Sequence, residues 1–135
     1  MTADYVKVGL LAVRDDRMLL CRKKRSTSKL ILPGGKIEPG ETHLECLARE
    51  LREELGNEVR AERLEHIATY VDVAAGESRV VQIELYGGVL AGQPVATSEI
   101  GELVWFGRDD DRAQLAHSLA NQIIPDLVAR RLLHW

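Results

Sequence analysis

The chain has 135 residues, 45% of them apolar and 29% charged, with a formal net charge of −3. That length and apolar content suit one domain, residues 1–135, with its own core. The acidic balance argues against a broad basic face for a nucleic-acid polymer, so an anionic partner has to be small and held by local cations.

In chain order, Tyr5 to Val13 is a near-continuous apolar run and reads as a buried strand. Asp15 and Asp16 turn it into a second strand, Met18 to Arg22, giving an expected hairpin. The apolar run is too short to span a membrane and lacks a small-residue cleavage pattern before Arg14, so neither an anchor nor a signal segment is expected. Cys21 and Cys46 lack metal-type spacing and read as buried free thiols, which suits a reducing cytoplasm. Arg22, Lys23, Lys24 and Arg25 then lead into a Ser-Thr-Ser loop. Such a run is ordinarily a solvated basic patch.

Pro33-Gly34-Gly35 and Pro39-Gly40 are turn chemistry and make residues 33 to 40 a loop, with Lys36 inside it as a candidate phosphate contact. From Thr42 the pattern becomes helical. Leu44, Leu47, Ala48, Leu51 and Leu55 mark one face, Thr42 and Glu45 can form a capping box, and Gly56 stops the helix, predicting a helix over 42–55. Glu50, Glu53 and Glu54 stand at i, i+3 and i+4 and share one edge away from the leucines. A solvated acidic edge is the ordinary reading of three such glutamates. The glycine loop at the helix entrance, oxygen donors suited to Mg2+, and Arg49 placed to orient Glu53 favour a cation site instead.

This stretch resembles the Nudix box: Gly35, five residues, Glu41, seven residues, Arg49-Glu50, the aliphatic Leu51, one residue, Glu53-Glu54, one residue, Gly56. One position departs, because an aliphatic residue usually follows the last glycine and here it is Asn57; Val59 stands ready to supply that apolar contact. The resemblance implies Mg2+-dependent, or Mn2+-dependent, hydrolysis of a nucleoside diphosphate linked to another group. It makes Glu50, Glu53, Glu54 and the Gly35 carbonyl metal ligands, with Glu41 and Arg49 supporting them. It also implies an α/β fold in which a mixed sheet lies between the box helix and a C-terminal helix, an α/β/α sandwich. In members of the MutT type a basic residue at the end of the second strand reaches the substrate, which points to Arg22 or Lys23.

Beyond the box, Leu64 to Val73 reads as a strand, Ala74 to Glu77 as a turn, and Ser78 to Leu90 as a strand with a bulge or bend at Gly87-Gly88. Arg79 heads that strand as a surface arginine or a phosphate contact. Tyr70 and Tyr86 read as core or rim. Residues 92 to 98 form a loop, followed by Glu99 and Glu102 and a short strand from Leu103 to Phe106, with Trp105 expected under the final helix. A loop carboxylate that completes the metal site or acts as base is a family habit, and Glu99 is the candidate. Ala113 to Trp135 is helical in pattern, its main helix starting near 121–124 with Pro125 in the first turn and Leu132 and Leu133 on its apolar face. Asn121 reads as a cap for that helix or, by resemblance, as the amide that reads a purine edge. The four histidines, at 43, 66, 117 and 134, have no ligand spacing.

The favoured function is therefore pyrophosphohydrolysis of a nucleoside triphosphate, with an oxidised purine form as one option, yielding monophosphate and pyrophosphate. ADP-ribose, a nucleotide sugar or a dinucleoside polyphosphate are alternative substrates, and a non-catalytic nucleotide-sensing or protein-binding module is the alternative of another class. The expected partner is a small nucleotide, with neither nucleic-acid polymer nor membrane, and the chain is expected as monomer or homodimer.

Overall fold

The computed structural model describes residues 2–25, 28–73 and 78–135. The expected turn at 74–77 and part of the Ser-Thr-Ser loop lie outside them. The elements are β1 (Tyr5–Leu11), β2 (Val13–Arg14), β3 (Arg17–Lys23), β4 (Leu30–Ile31), β5 (Gly34–Lys36), α1 (His43–Leu55), β6 (Arg60–Val73), β7 (Val80–Ala91), β8 (Ile100–Phe106) and α2 (Ile124–Ala129). A 3₁₀ turn (Arg112–Gln114) and a π turn (Leu119–Ile123) precede α2.

One sheet has the order β5-β1-β7-β6, with β1 parallel to β7 and the other pairs antiparallel. The second is antiparallel, with β3 between β4 and β8 and joined also to β2. The expected hairpin is thus only partly present. The apolar run divides at Ala12: its first seven residues join β5 and β7, and only Val13 and Arg14 fold back on β3 across Asp15 and Asp16, both at positive φ.

The α/β/α layering follows from alternation on β1 and β7. Val81, Ile83 and Leu85 face a core completed by Phe106, Leu119, Ile123, Ile124 and Leu127, while Val8 and Leu10 face Leu47, Leu51 and Leu55 of α1. Phe106, and not Trp105, lies against the C-terminal segment. Trp105 packs on the α1 side, its ring beneath the Arg14 guanidinium, because neighbouring strand residues point to opposite faces.

The bulges fall on β6 rather than on the glycines of β7. Arg63 and Leu64 oppose Gly88, and Ile67 is extra between the pairs His66–Tyr86 and Ala68–Leu85. A Cβ on Gly87 would sit 2.8 Å from Ile67 and one on Gly88 2.7 Å from Leu64, so the glycines make room for the bulged side chains. The last helix is also shorter than its apolar pattern suggests. It ends at Ala129, Arg131 takes φ 61°, and the amides of Leu132 and Leu133 turn back to the Leu127 carbonyl. Leu133 is buried by that turn, whereas Leu132 stays exposed. Trp135 then packs on Phe106 and donates its indole N–H to the Asp16 carbonyl at 2.8 Å.

Candidate active site

The box helix starts where the sequence places its cap. The Thr42 hydroxyl accepts from the Glu45 amide, and the Glu45 carboxylate accepts from the Thr42 amide. Its far end is held by the loop before β8: Val95 donates to the Leu55 carbonyl, and Thr97 donates through its amide to Glu54 and through its hydroxyl to Glu53. These bonds satisfy carbonyls that a helix end leaves open and fix the backbone beneath Glu53 and Glu54.

At the other margin, β5 brings the glycines against the helix. Gly34 adopts φ 135°, and a Cβ there would lie 2.0 Å from the Val8 carbonyl. Its amide donates to Glu54 Oε1 at 2.8 Å. Gly35 lies directly on the Glu50 carboxylate, where a Cβ would approach Cδ to 2.3 Å. Gly35→Ala is therefore expected to displace the Glu50 carboxylate and lower turnover at least tenfold with the fold retained; turnover at the wild-type rate would show that Glu50 has no fixed role.

Arg49 organises the acidic edge. Its Nε and Nη2 donate to both oxygens of Glu41 at 2.6 and 2.9 Å, and its Nη1 donates to Glu50 at 2.8 Å. Glu53 lies 3.6 Å from Nη1. The Arg49 hydrogen bonds to Glu41, joined by the Glu38 amide, hold the Glu41 carboxyl down to about 2. Glu54 is the buried member, and burial followed by the charge of Glu50 pushes its carboxyl up to about 7, against the pull of the Gly34 amide, Lys7 and Lys23. Burial likewise raises Glu50, with Arg49 opposing.

As these side chains stand, no three His, Cys, Asp or Glu groups among the described residues are arranged to hold a metal ion. Glu50 turns toward Arg49, Glu53 is exposed, and the Gly35 carbonyl accepts the Cys46 thiol at 3.5 Å. The donor set nevertheless suits a hard divalent cation: it is all oxygen, and a buried carboxylate beside a second one leaves a deficit of positive charge. A cation there would be held by Glu50, Glu53, Glu54 and the Gly35 carbonyl, once Glu50 turned from Arg49.

The other candidates divide. Lys23 acts electrostatically on both Glu50 and Glu54. Arg22 is committed elsewhere, to Glu102 at 2.7 Å, Gln114 at 2.9 Å and the Ser28 carbonyl. Lys36 and Arg79 meet over one ring, 5.5 and 4.6 Å from the centroid of Tyr5. Glu99 is exposed, two residues beyond Thr97, and its carbonyl accepts the Lys24 amide. Asn121 does not cap a helix. It lies exposed within the π turn, between two ties to β6, the Gln122 amide on the Val71 carbonyl at 3.0 Å and the His117–Asp72 pair at 2.6 Å.

Sequence reasoning missed Lys7, although it is a lone charge in the first apolar run and could have been noticed there. It also missed the buried Glu84. Burial would raise that carboxyl, but hydrogen bonds from Thr69, His66 and Gln82 bring it below its ordinary value.

The NUDIX domain family model matches residues 5–127. The chain belongs to the Nudix family. This Nudix chain is 30% identical over 125 residues to the CTP pyrophosphohydrolase of Escherichia coli, a match covering 90% of the chain and 87% of that protein. It is 32% identical over 126 residues to the NAD-capped RNA hydrolase NudC of Pseudomonas entomophila, covering 91% of the chain but only 44% of NudC. The chain thus spans less than half the length of that relative. Among solved structures, the MutT Nudix hydrolase of Burkholderia pseudomallei superposes with a TM-score of 0.74 at 29% identity, over 86% of this chain and 94% of that one.

Proposed function

We propose that this chain is a Mg2+-dependent pyrophosphohydrolase, with Mn2+ as a substitute, that cleaves a nucleoside triphosphate to monophosphate and pyrophosphate. The observation that carries this reading is the charge deficit on one edge of α1, where buried Glu54 has its carboxyl raised to about 7 beside Glu50, with Glu53 at the mouth. The similarity to the CTP pyrophosphohydrolase supports a nucleoside triphosphate, since that match spans nearly all of both chains.

When bound, a divalent cation at these carboxylates supplies charge neutralisation, polarisation of a phosphoryl oxygen and a lowered pKa for the attacking water. The chain's own groups do the rest. Arg49 fixes Glu41 and Glu50 and stands beside Glu53. Lys23, Lys36 and Arg79 hold phosphate charge, as does Arg22 if it leaves Glu102. Glu99 is the candidate to accept the proton of the attacking water. The Asn121 amide offers a donor and an acceptor to a base edge. The buried free thiols of Cys21 and Cys46 suit a reducing cytoplasm, and among the described residues no helix is long and apolar enough to cross a membrane.

The test is product release across CTP, the other nucleoside triphosphates, their oxidised purine forms, ADP-ribose and NAD, with and without Mg2+, identifying which phosphorus–oxygen bond breaks. A nucleoside triphosphate is expected to turn over fastest, and only with the metal. The similarity to NudC, a hydrolase of NAD-capped RNA, favours a second reading, in which the NAD cap of an RNA is cleaved best and a polymer, against expectation, is the substrate. Equal, metal-independent background rates on every compound would favour a binding module. In Glu53→Gln a carboxylate donor becomes an amide, so turnover should fall about a hundredfold or more with an unchanged melting curve; near-normal turnover at saturating Mg2+ would remove Glu53 from the site.

A further inference from the structure

On the other flank of α1 lies a groove of about 430 Å³, lined by Leu47, Ala48, Leu51, Val59 and Leu64 together with Arg52, Asn57 and Arg60. With 3.6 residues per turn, Ala48 projects about 140° to 160° from Glu50 and Glu53 around the helix, and Arg52 about 160° from Glu50 and about 100° from Glu53, so the groove opens on another flank than the acidic edge. Asn57 is the position where the chain departs from the box pattern. Val59, buried two residues on, supplies the apolar packing at the helix end and leaves the Asn57 amide in the exposed wall of the groove. Neither Arg52 nor Arg60 has an ion-pair partner among the described residues. An apolar floor therefore meets two uncompensated guanidinium groups and an amide in a chain of net charge −3.

We infer that this groove binds one small amphipathic anion, its apolar body on Ala48, Ala61 and Leu64 and its acidic head among Arg52, Asn57 and Arg60. The complementarity is double. Carboxylate, sulfonate or phosphate oxygens accept from the guanidinium forks and the amide, and the hydrocarbon covers the part of Ala48, Ala61 and Leu64 that water otherwise meets above the buried Leu47 and Leu51. The volume falls in the roughly 300–1,000 Å³ range of small-molecule pockets. A second copy of the chain is a poorer occupant, because a stable protein interface buries about 800 Å² on each partner over a broad face rather than filling one groove. The ligand would lie on the same helix as the carboxylates without touching them.

The experiment titrates the intact, metal-free chain with 8-anilinonaphthalene-1-sulfonate, following fluorescence and the methyl resonances of Ala48, Ala61 and Leu64. One equivalent is expected to bind and to shift those methyls. Arg52→Gln combined with Arg60→Gln should weaken binding at least tenfold, Ala48→Trp should fill the groove and abolish it, and the neutral N-phenyl-1-naphthylamine should bind at least tenfold more weakly. Should Ala48→Trp lower the melting temperature, Asn57→Leu decides the point by removing the amide from the head site. Binding indifferent to these variants, or equal for the neutral probe, overturns the inference. A concentration-dependent dimer that Ala48→Trp dissolves would also overturn it, by making a second copy the occupant. Because neither metal nor nucleotide is present, failure here leaves the hydrolytic reading untouched, and its success does not depend on that reading.

Discussion

Glu54→Gln is expected to stabilise the metal-free protein at pH 8 while removing its turnover. The folded carboxyl titrates at about 7 against an ordinary 4.5, chiefly through burial. Between those values the folded state holds a proton that the unfolded chain has released. This contribution to stability is therefore complete below pH 4.5, falls as pH rises, and is gone above 7. At pH 8 the wild type carries a buried charge that the amide does not, and the difference is on the order of 3 kcal/mol. Glutamine keeps an oxygen to accept the Gly34 amide, so the local geometry survives. Urea unfolding in EDTA at pH 4 and pH 8 measures the effect: the variant should gain at pH 8 and not at pH 4, and Mg2+ should stabilise the wild type more than the variant. A variant less stable than the wild type at pH 8 would remove the premise that Glu54 is held there against its solvation.

Arg49→Ala should be harmful in both respects. It deletes a guanidinium that donates to both oxygens of Glu41, to Glu50 and to the Lys36 carbonyl, leaving two partly buried carboxylates without a counter-charge. Because the site retains solvent contact, the loss is smaller than that of a fully buried pair and should appear as a lowered melting temperature. Turnover should fall by roughly 10 to 100-fold through misplacement of Glu50 and Glu53. Arg49→Lys should recover part of the stability and little of the rate, because an ammonium cannot span both Glu41 oxygens while reaching Glu50. Equal recovery of both would reduce Arg49 to a simple charge. Melting curves and single-turnover rates on the same preparations separate these outcomes.

The local signals in the chain were legible where one residue type had one physical use. Thr42, Glu45 and Gly56 bounded α1 to within a residue, because caps act through bonds to their immediate neighbours. The layering followed from the resemblance of the box and from the succession of strands and helices along the chain. What could not be read was pairing at a distance. Nothing in Tyr5 to Val13 says that the strand breaks at Ala12 and joins β7, and the bulges opposite Gly87 and Gly88 depend on which strand lies alongside. Trp105 was assigned to the wrong side because a one-residue shift in a strand reverses its faces. In the site, the sequence placed the glutamates on one edge. It did not foretell that Glu50 turns to Arg49, that Glu102 and Gln114 hold Arg22, or that Asn121 lies in a π turn, since each depends on partners distant in the chain.

Among the described residues β6 pairs with a strand on one side only, since it ends the order β5-β1-β7-β6. An edge strand ordinarily invites another chain to add a strand and begin an aggregate, and this one is covered only in part, by the Gln122 amide on the Val71 carbonyl and the Arg130 guanidinium on the Ile67 carbonyl. Here the irregular spacing at Arg63–Leu64 and at Ile67 spoils the template, so an incoming strand in uniform register would fall out of step twice along its length. Arg60, Glu62, Arg63 and Glu65 add alternating charges that such a strand would have to match. The two glycines of β7 thus do more than relieve crowding. By accommodating the kinks next door, they let β6 carry irregularities of the kind that elsewhere blunt a sheet edge.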